Sequence, residues 1–274
     1  MLYYNNIMFN VLKQKRIIQP SEDFLQLAGL YSNKVFVKDI VTRKVPELKV
    51  AKLIRTYDSF DSINLNELPE QFVIKTSHWC GDVRVIQSKD VFLDNYKKLS
   101  SHFNSLLSKV YNPLQEPHYK YIKPILFIEE YLGEEKLDVK IHCIHGRPVL
   151  FNLMEDGTSS GLYRDDHPTF AMHDINWNPL NFIIIGKDIG RISYPKPSNL
   201  NEIISIASRL SENIDYVRID LYLDGNNNLT FGEYTFTPRG CMAPHFTNSS
   251  IDNLLHDIYM GENNNLNVFD KFKR

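Results

Sequence analysis

The residues best placed to do chemistry are two carboxylates, Asp220 and Glu233, in the stretch YVRIDLYLDGNNNLTFGEYTFTPRG that begins at Tyr216. Apolar and polar residues alternate on both sides of the turn sequence DGNNN, which predicts a hairpin with Asp220 opposite Glu233. Side chains opposite each other on one face have Cβ atoms about 5 Å apart. Two carboxylates at that spacing repel unless a cation compensates, and Mg²⁺ carried on a nucleotide phosphate suits such oxygen ligands. The pair therefore indicates metal-dependent phosphate chemistry.

The same hairpin predicts the neighbours of this pair. With the turn centred between the first two asparagines of DGNNN, Arg218 lies opposite Thr235 and Leu223 opposite Thr230. Arg218 would add a fixed positive charge for a phosphate or a developing oxyanion. The alternative interpretation is a solvent-facing hairpin edge with scattered charges. A calcium loop in DGNNNLTFGE is set aside, because it lacks the glycine and the glutamate that such a loop requires.

A lysine and a loop follow an earlier apolar strand. The run FVI before Lys75 predicts a short buried strand, and the loop TSHWCGD contains His78, Cys80 and Gly81. Backbone N–H groups around Gly81 could cradle phosphate oxygens beside the lysine. A lysine that reaches solvent from a strand end, and an ordinary loop histidine, are the alternatives. No GxxxxGK[ST] sequence occurs, and Cys80 has no third group to complete a nucleophilic site.

Two further strands carry charged residues. The strand IKPILFIEEYL ends in Glu129 and Glu130, where a carboxylate and free backbone groups could read an adenine amino group. The alternative there is a solvated strand terminus. Asp138 and Lys140 share one face of the next strand, part of a hairpin that turns at the dipeptide HG. They could bind ribose hydroxyls and a phosphate, or they could form an ion pair of little stabilising value.

Helical patterns frame these strands. They are predicted over residues 1–33, 90–111 and 251–259 and in the segment that follows Asn199. The many lysines of SNKVFVKDIVTRKV are typical of a solvated face. Residues 154–190 are polar and are expected to form loops and short strands, and residues 261–274 to form a frayed tail.

Composition limits the class of protein. The chain has 274 residues and a net charge of −2, so no global basic field points to nucleic acid or to an anionic membrane. A hydrophobic content of 43% is enough for one large domain or two modest ones. Three widely separated cysteines indicate a reduced compartment without a disulfide framework or zinc site. No signal peptide or transmembrane segment is recognised. We therefore expect a cytoplasmic protein, with peripheral contact at the inner face of the membrane left open.

The order of these pieces resembles the ATP-grasp superfamily. The segments IKTSHWCGDV, FIEEYL, DVKIHCIHG and RIDLYLDG…FGEYTFTP are similar to those of its TupA-like branch, which is linked to teichuronopeptide and surface-polysaccharide synthesis. The last hairpin also resembles the metal hairpin of D-alanine–D-alanine ligases. The resemblance covers residues 34–245 and implies an α+β ATP-grasp fold in which two α+β subdomains clasp ATP. The domains it implies are a helical region and connector over 1–65, a small subdomain over 66–132 and a large subdomain over 133–274.

The resemblance also implies which residues bind ATP. Lys34 and Lys75 match two lysines that contact its phosphates, and the loop from His78 to Gly81 matches the loop that covers them. The adenine hinge is matched by Glu129, Glu130 and the backbone of Leu132. Asp138 matches the carboxylate that binds ribose.

The remaining matches concern catalysis. Asp220 and Glu233 match the Mg²⁺ ligands, and Thr235 stands where the superfamily has a metal-binding asparagine. Lys140 matches a lysine aimed at the transferred phosphate, and Arg218 matches the arginine that stabilises the acyl phosphate and the tetrahedral state. Two more departures are the sequence HWCG in place of a glycine- and serine-rich loop, and a short region before Lys34.

The activity implied is that of an ADP-forming carboxylate–amine ligase that uses ATP and Mg²⁺ and makes an amide through an acyl phosphate. Arg218, Lys140 and Lys75 are the expected catalytic residues. The expected substrates are an amino acid and a uronic-acid-containing glycan of a capsular or other surface polysaccharide, and polysaccharide-synthesis enzymes are the expected partners. The alternatives are a kinase that phosphorylates a glycan hydroxyl and a non-catalytic nucleotide-binding partner of a glycosyltransferase.

Overall fold

The computed structural model describes residues 7–133, 136–155, 170–185, 194–243 and 245–273. The strands in these ranges are β1 Lys49–Val50, β2 Leu53–Tyr57, β3 Phe72–Thr76, β4 Arg84–Ile86, β5 Leu126–Glu130, β6 Lys136–Ile144, β7 Arg147–Glu155, β8 Phe170–His173, β9 Tyr216–Asp224 and β10 Leu229–Thr235. The helices are α1 Met8–Lys13, α2 Glu22–Ser32, α3 Val37–Lys44, α4 Lys89–Asp94, α5 Tyr96–Leu107, α6 Leu200–Leu210 and α7 Ser249–Tyr259.

The strands form two separate sheets. A six-stranded sheet has the order β1-β10-β9-β6-β7-β8, and a four-stranded sheet has the order β2-β5-β3-β4. All pairs are antiparallel except β1 with β10. β1 and β2 lie in the segment expected to be a helical region and connector, yet they join different sheets. The division into three domains remains a prediction.

The alternating pattern of β9 explains how the large sheet is covered. Val217, Ile219 and Leu221 are fully buried on one face, where they belong to the same apolar core as α6. The apolar residues of α6 recur at helical spacing, so one side of the helix can pack on the sheet. The other face of β9 carries Arg218 and Asp220. Because α6 covers the apolar face of the sheet, the opposite face with its charged residues is available to form a functional site.

The small sheet has a core of its own. Phe72 and Ile74 of β3 pack with Phe92 and Phe103 from α4 and α5, in a cluster that also includes apolar residues of β5. The prediction of a single helix over residues 90–111 is wrong, because the segment forms two helices that meet at Asn95, and the second ends at Leu107. The helix predicted over residues 251–259 is confirmed as α7, and the hairpin that turns at His145-Gly146 is confirmed between β6 and β7.

The prediction of a frayed C-terminal tail is wrong for the part that the structure describes. Residues 266–272 form a 3-10 helix, and Phe269 is completely buried in an apolar cluster with α7 and α1. Lys273 pairs with Leu180 in an isolated bridge. Val268 and Phe272 pack partly against the same cluster, so apolar contacts outweigh the polar composition of the segment. In the polar region 154–190, residues 156–169 and 186–190 lie outside the described residues.

None of the described helices combines the length and the apolar character needed to cross a bilayer.

Candidate active site

A β-bulge in the last hairpin aligns the two candidate metal ligands. Close to the turn, Leu223 pairs with Leu229, so the predicted pairing with Thr230 is wrong by one residue. Gly232 is then an extra residue on β10, and beyond it Asp220 pairs with Glu233 and Arg218 with Thr235, as predicted. The one-residue error in the predicted register near the turn is thus offset by the extra residue at the bulge.

A side chain at this bulge would clash with the neighbouring strand. A Cβ atom on Gly232 would lie 2.9 Å from the carbonyl oxygen of Asp220 and 3.2 Å from the ring of Tyr222. The first distance is shorter than real Cβ contacts, and the backbone atom involved cannot rotate away. Without the bulge, Glu233 would face the opposite side of the sheet, because a one-residue slip reverses every side chain.

Asp220 lies at the centre of a buried group of charges. Its carboxylate accepts hydrogen bonds from Arg218 Nε at 2.7 Å and Arg218 Nη2 at 2.6 Å, and from Lys140 Nζ at 3.0 Å. Lys140 also pairs with Asp138. Arg218 Nη2 donates to Thr235 Oγ1 at 3.0 Å and lies 3.8 Å from Glu233 Oε1. The two cations thus fix the orientation of the aspartate beneath the cleft.

These contacts keep Asp220 ionised although it is only 2% exposed. Burial by itself would raise its pKa, but Arg218 and Lys140 outweigh that effect and lower the pKa. Burial disfavours the charged form of Lys140, yet Asp220 and Asp138 raise the pKa of the ammonium. The pKa of Asp138 is raised by burial, which its pairing with Lys140 opposes. Asp220, Lys140 and Arg218 therefore present fixed charges at neutral pH.

A second charged group links two strands of the small sheet to α3. Glu129 on β5 pairs with Lys75 from β3 and with Lys38 Nζ from α3, the latter at 2.7 Å. Burial would raise the pKa of Glu129, but the two lysines lower it. Lys38 also donates to the carbonyl oxygen of Ala51 at 2.6 Å. Glu129 thus positions the ammonium of Lys75 at the cleft wall.

Both charged groups line one cleft of about 290 Å³. Most of the predicted site residues are among its walls: Lys34, Lys75, Gly81, Glu129, Leu132, Asp138, Lys140, Arg218, Asp220 and Glu233. Apolar side chains also contribute, among them Val37, Phe127, Met154 and Phe170. Lys34 Nζ lies 4.0 Å from Glu233 Oε2, which brings a phosphate-binding candidate next to a metal candidate. Gly81 has a φ of +81°, a conformation that favours glycine in this loop.

His78, Glu130 and Thr235 lie outside the cleft walls. His78 is 1% exposed, with Nε2 3.1 Å from the carbonyl oxygen of Leu106, and burial lowers its pKa. This placement favours a role in holding the loop rather than contact with phosphate. Glu130 accepts a hydrogen bond from the backbone N–H of Lys52 at 3.0 Å. The polar contacts of Thr235 Oγ1 are with Arg218 and Glu233.

Asp220 and Glu233 fit a magnesium ion as a pair of ligands. Magnesium usually takes one or two carboxylates and completes its shell with water and phosphate oxygens. Both oxygens of Asp220 already accept hydrogen bonds, so a metal would use their remaining lone pairs. Among the described residues, no group of three or more His, Cys, Asp or Glu could hold a metal. The metal-binding roles, including that of Thr235, remain predictions.

Three cleft residues were missed by the sequence reasoning. The sequence predicts a solvated Lys38, but its side chain is only 13% exposed. Asn152 lies opposite Lys140 on β7, and its buried Oδ1 has no hydrogen-bond partner among the described residues. Arg239 follows the hairpin in a turn of left-handed backbone. The four-residue spacing of Lys34 and Lys38 was the one available signal, since it places both near one side of a helix start.

Comparison with known proteins gives a family match and a set of similar structures. The family model of TupA-like ATP-grasp proteins matches residues 9–260, which confirms the predicted α+β ATP-grasp fold. No curated protein matches the sequence.

Three solved structures illustrate the similarity. The ATP-grasp ligase PsnB complexed with a minimal precursor has 12% identity and a TM-score of 0.47, over 87% of this chain and 63% of that one. The L-amino acid ligase from Bacillus licheniformis has 12% identity and a TM-score of 0.48, over 87% and 48%. The D-alanine–D-alanine ligase from Bacillus anthracis complexed with ATP has 12% identity and a TM-score of 0.45, over 87% and 68%. The chain spans about half to two thirds of the length of these proteins.

Proposed function

The chain belongs to the TupA-like ATP-grasp family, and we propose that it is an ADP-forming carboxylate–amine ligase that uses ATP and Mg²⁺. The observation that carries the proposal is the cluster of Arg218, Lys140 and Asp220 with Glu233 across the hairpin, all lining one cleft with Lys34 and Lys75. Acidic residues for a metal and basic residues for phosphates thus converge at one place. Such an arrangement suits phosphoryl transfer to a carboxylate, where catalysis is mainly positioning and electrostatic stabilisation.

ATP would lie along the cleft between the two sheets. Lys34 and Lys75 would contact its phosphates, and the backbone around Gly81 would cover them. Asp138 Oδ1 is buried and makes no hydrogen bond within the described residues, so it is available to accept one from a ribose hydroxyl. The apolar walls near Leu132 would hold the base. Each part of the nucleotide thus has a chemically matched wall.

Asp220 and Glu233 would hold the metal. When bound, Mg²⁺ would neutralise negative charge on the phosphates and orient them for transfer. Arg218 and Lys140 hold Asp220 in place by hydrogen bonds at 2.6–3.0 Å. A ligand that is already oriented loses little conformational freedom when it binds.

The reaction would follow from this arrangement of charges. A substrate carboxylate attacks the γ-phosphate of ATP while Lys140 and Lys75 offset the negative charge, and an acyl phosphate and ADP form. An amine then displaces the phosphate. Burial disfavours the charged form of Arg218, but Asp220 raises its pKa above the usual value, so the guanidinium remains charged. This charge stabilises the oxyanion of the tetrahedral state.

For the substrates, we propose an amino acid as the amine and a uronic acid of a surface glycan, or of its precursor, as the carboxylate. The support for this choice is the resemblance of the sequence to the branch linked to teichuronopeptide synthesis. Such precursors would be met in the cytoplasm, with polysaccharide-synthesis enzymes at the inner face of the membrane as partners.

The test is ADP release from ATP and Mg²⁺ in the presence of glucuronic acid, galacturonic acid and single amino acids, with and without hydroxylamine. We expect carboxylate-dependent ADP release and a hydroxamate, which traps an acyl phosphate. Glu233→Gln should lower the rate about 100-fold, as expected when charge stabilisation of the transition state is lost. Glu262→Gln, an exposed position on the C-terminal segment, is the matched control and should match the unmodified protein.

Two outcomes would overturn the proposal. Phosphate transfer to a sugar hydroxyl without any hydroxamate would identify a kinase instead. Tight ATP binding without turnover on any of these compounds would leave a nucleotide-binding module. Unchanged activity of Glu233→Gln would refute the metal assignment alone.

A further inference from the structure

A second cavity adjoins the cleft at Arg218. It encloses about 240 Å³ and shares Arg218, Glu233 and Arg239 with the cleft. The residues that belong to it alone include Tyr111, Gln115, Glu116, His118, Thr235 and Thr237. A molecule in this cavity would therefore reach the arginine and the carboxylate at which the acyl phosphate is expected. The proposed function does not yet assign this space to a ligand.

Glu116 is the acidic group of this cavity that the proposed reaction has not used. It directly precedes the 3-10 helix Pro117–Tyr121, and its Oε1 accepts a hydrogen bond from Thr237 Oγ1 at 3.2 Å. No described cation lies within ion-pair distance of this carboxylate, unlike those of Asp138, Asp220 and Glu129. A half-buried carboxylate without a cationic partner is suited to receive a positively charged group from a ligand.

Arg239 is presented to both cavities by an unusual turn. Arg239, Gly240 and Cys241 have φ values of +51°, +61° and +51°, a left-handed run that disfavours residues other than glycine. Nη1 of Arg239 is buried and has no hydrogen-bond partner among the described residues. Left-handed backbone at two residues with side chains is tolerated only where the surrounding structure enforces it. An unpaired guanidinium nitrogen in such a turn is matched to a planar anion such as a carboxylate.

We propose, on the premise of the ligase function above, that this second cavity is the acceptor site and that it binds an α-amino acid. Glu116 holds the ammonium group and takes its proton, while Arg239 binds the carboxylate. Glu116 and Arg239 both line this cavity, so it offers a partner of opposite charge to each of the two groups that an α-amino acid carries on its Cα. A simple amine would satisfy only Glu116, and a simple carboxylic acid only Arg239.

The protons and electron pairs of the transfer then balance. The ammonium gives one proton to the Glu116 carboxylate, and the freed nitrogen lone pair attacks the acyl carbon to form the C–N bond. The C–O bond to phosphate breaks, and the phosphate leaves with that electron pair. Phosphate takes the second proton of the nitrogen and departs as hydrogen phosphate. Glu116 returns its proton to solvent, so one amide, one phosphate and one proton result.

The surroundings of Glu116 bring the pKa of its carboxyl group close to neutral pH. Burial raises its pKa to about 7, which Thr237 opposes and the nearby Glu233 reinforces. Arg218 and Lys34 act in the opposite direction. Burial lowers the pKa of His118 to about 3 and raises the pKa values of Tyr111, Tyr119 and Cys80. A general base is most effective when its pKa lies near the working pH.

The first measurement is equilibrium binding, which does not require turnover. Calorimetry with Mg²⁺ and a non-hydrolysable ATP analogue would compare alanine, glutamate and lysine with ethylamine and propionate. We expect amino acids to bind, and both single-charge analogues to bind about 10- to 100-fold more weakly, as the loss of one charged hydrogen bond implies. Arg239→Met should remove the preference for alanine over ethylamine, and Arg239→Lys keeps the charge if the first variant does not fold. Arg43→Met, an exposed arginine on α3, is the control.

The second measurement is the ratio of amide to hydroxamate when an amino acid and hydroxylamine compete for the acyl phosphate. Hydroxylamine is largely unprotonated at neutral pH and needs no base, so Glu116→Gln should lower this ratio about 100-fold. In the unmodified protein the ratio should rise with pH through about pH 7, and this step should vanish in the variant. Glu262→Gln should retain the ratio and the step.

Each outcome decides the inference separately from the proposed function. Loss of hydroxamate and amide alike in Glu116→Gln would overturn it, since Glu116 would then act before the amine step. An unchanged ratio would overturn it as well. If the unmodified protein makes no hydroxamate with any carboxylate, the ligase proposal fails. The amino-acid site is then tested by the calorimetry alone. Amino-acid binding that depends on Arg239 would still support the site, and absence of binding would refute it.

Discussion

Gly232→Ala tests whether the β-bulge is what aligns the candidate metal ligands. The added Cβ would lie 2.9 Å from the carbonyl oxygen of Asp220 and 3.2 Å from the Tyr222 ring. The first contact is with backbone, so β9 and β10 must separate or the bulge must move. Forcing an extra carbon into a packed position costs about 1–3 kcal/mol. At about 2 kcal/mol, a protein of this size would lose roughly 4–8 °C in melting temperature.

The loss of activity should exceed the loss of stability. Glu233 directly follows Gly232, so any shift of the bulge moves its carboxylate relative to Asp220. A displacement of about 1 Å at a reacting centre costs on the order of 100-fold in rate. We therefore expect Mg²⁺-dependent ADP release to fall about 100-fold at a temperature where the variant is still folded.

Gly225→Ala is the matched control in the same hairpin. A Cβ at Gly225 would meet nothing within 4 Å, and its φ is not in the left-handed range. Differential scanning calorimetry and an ADP-release assay on both variants complete the experiment. If Gly232→Ala melts within about 1 °C of the unmodified protein and keeps at least half of its activity, the steric argument for the bulge is refuted.

Two further predictions concern buried charges. Arg16→Met should lower the free energy of unfolding by about 3 kcal/mol in urea denaturation, because two buried backbone carbonyls, those of Phe236 and Tyr216, would lose their hydrogen-bond donor. The Arg16 side chain is 2% exposed and also pairs with Asp215. A loss below about 1 kcal/mol would contradict this. Glu129→Gln should reduce the loss of stability at acid pH. Burial would raise the pKa of Glu129, but two lysines lower it. The carboxylate therefore contributes to the free energy of unfolding above about pH 4.5, and this contribution is lost as the pH falls through the lowered pKa. Urea titrations from pH 3 to 7 would measure it, and parallel curves for variant and unmodified protein would exclude the linkage.

The sequence by itself determined the pattern of the site on each strand. The alternation in β9 separates the apolar residues that face α6 from Arg218 and Asp220, and the same holds for Val139 and Ile141 against Asp138 and Lys140. These inferences succeed because the period of two is a property of the extended backbone itself. The family resemblance extended them to the ATP-grasp fold, which the family match over residues 9–260 confirms.

Only the tertiary structure decided how elements distant in the chain meet. The bulge at Gly232 depends on the space beside Asp220 on the neighbouring strand. The sequence predicts a solvated Lys38, because its partner Glu129 is 91 residues away and leaves no local signal. Glu116 and Arg239 carry no local motif and reach one cavity only when the two segments pack together. Local periodicity encodes the direction of a side chain, whereas its partner depends on steric fit and charge between segments that the chain brings together when it folds.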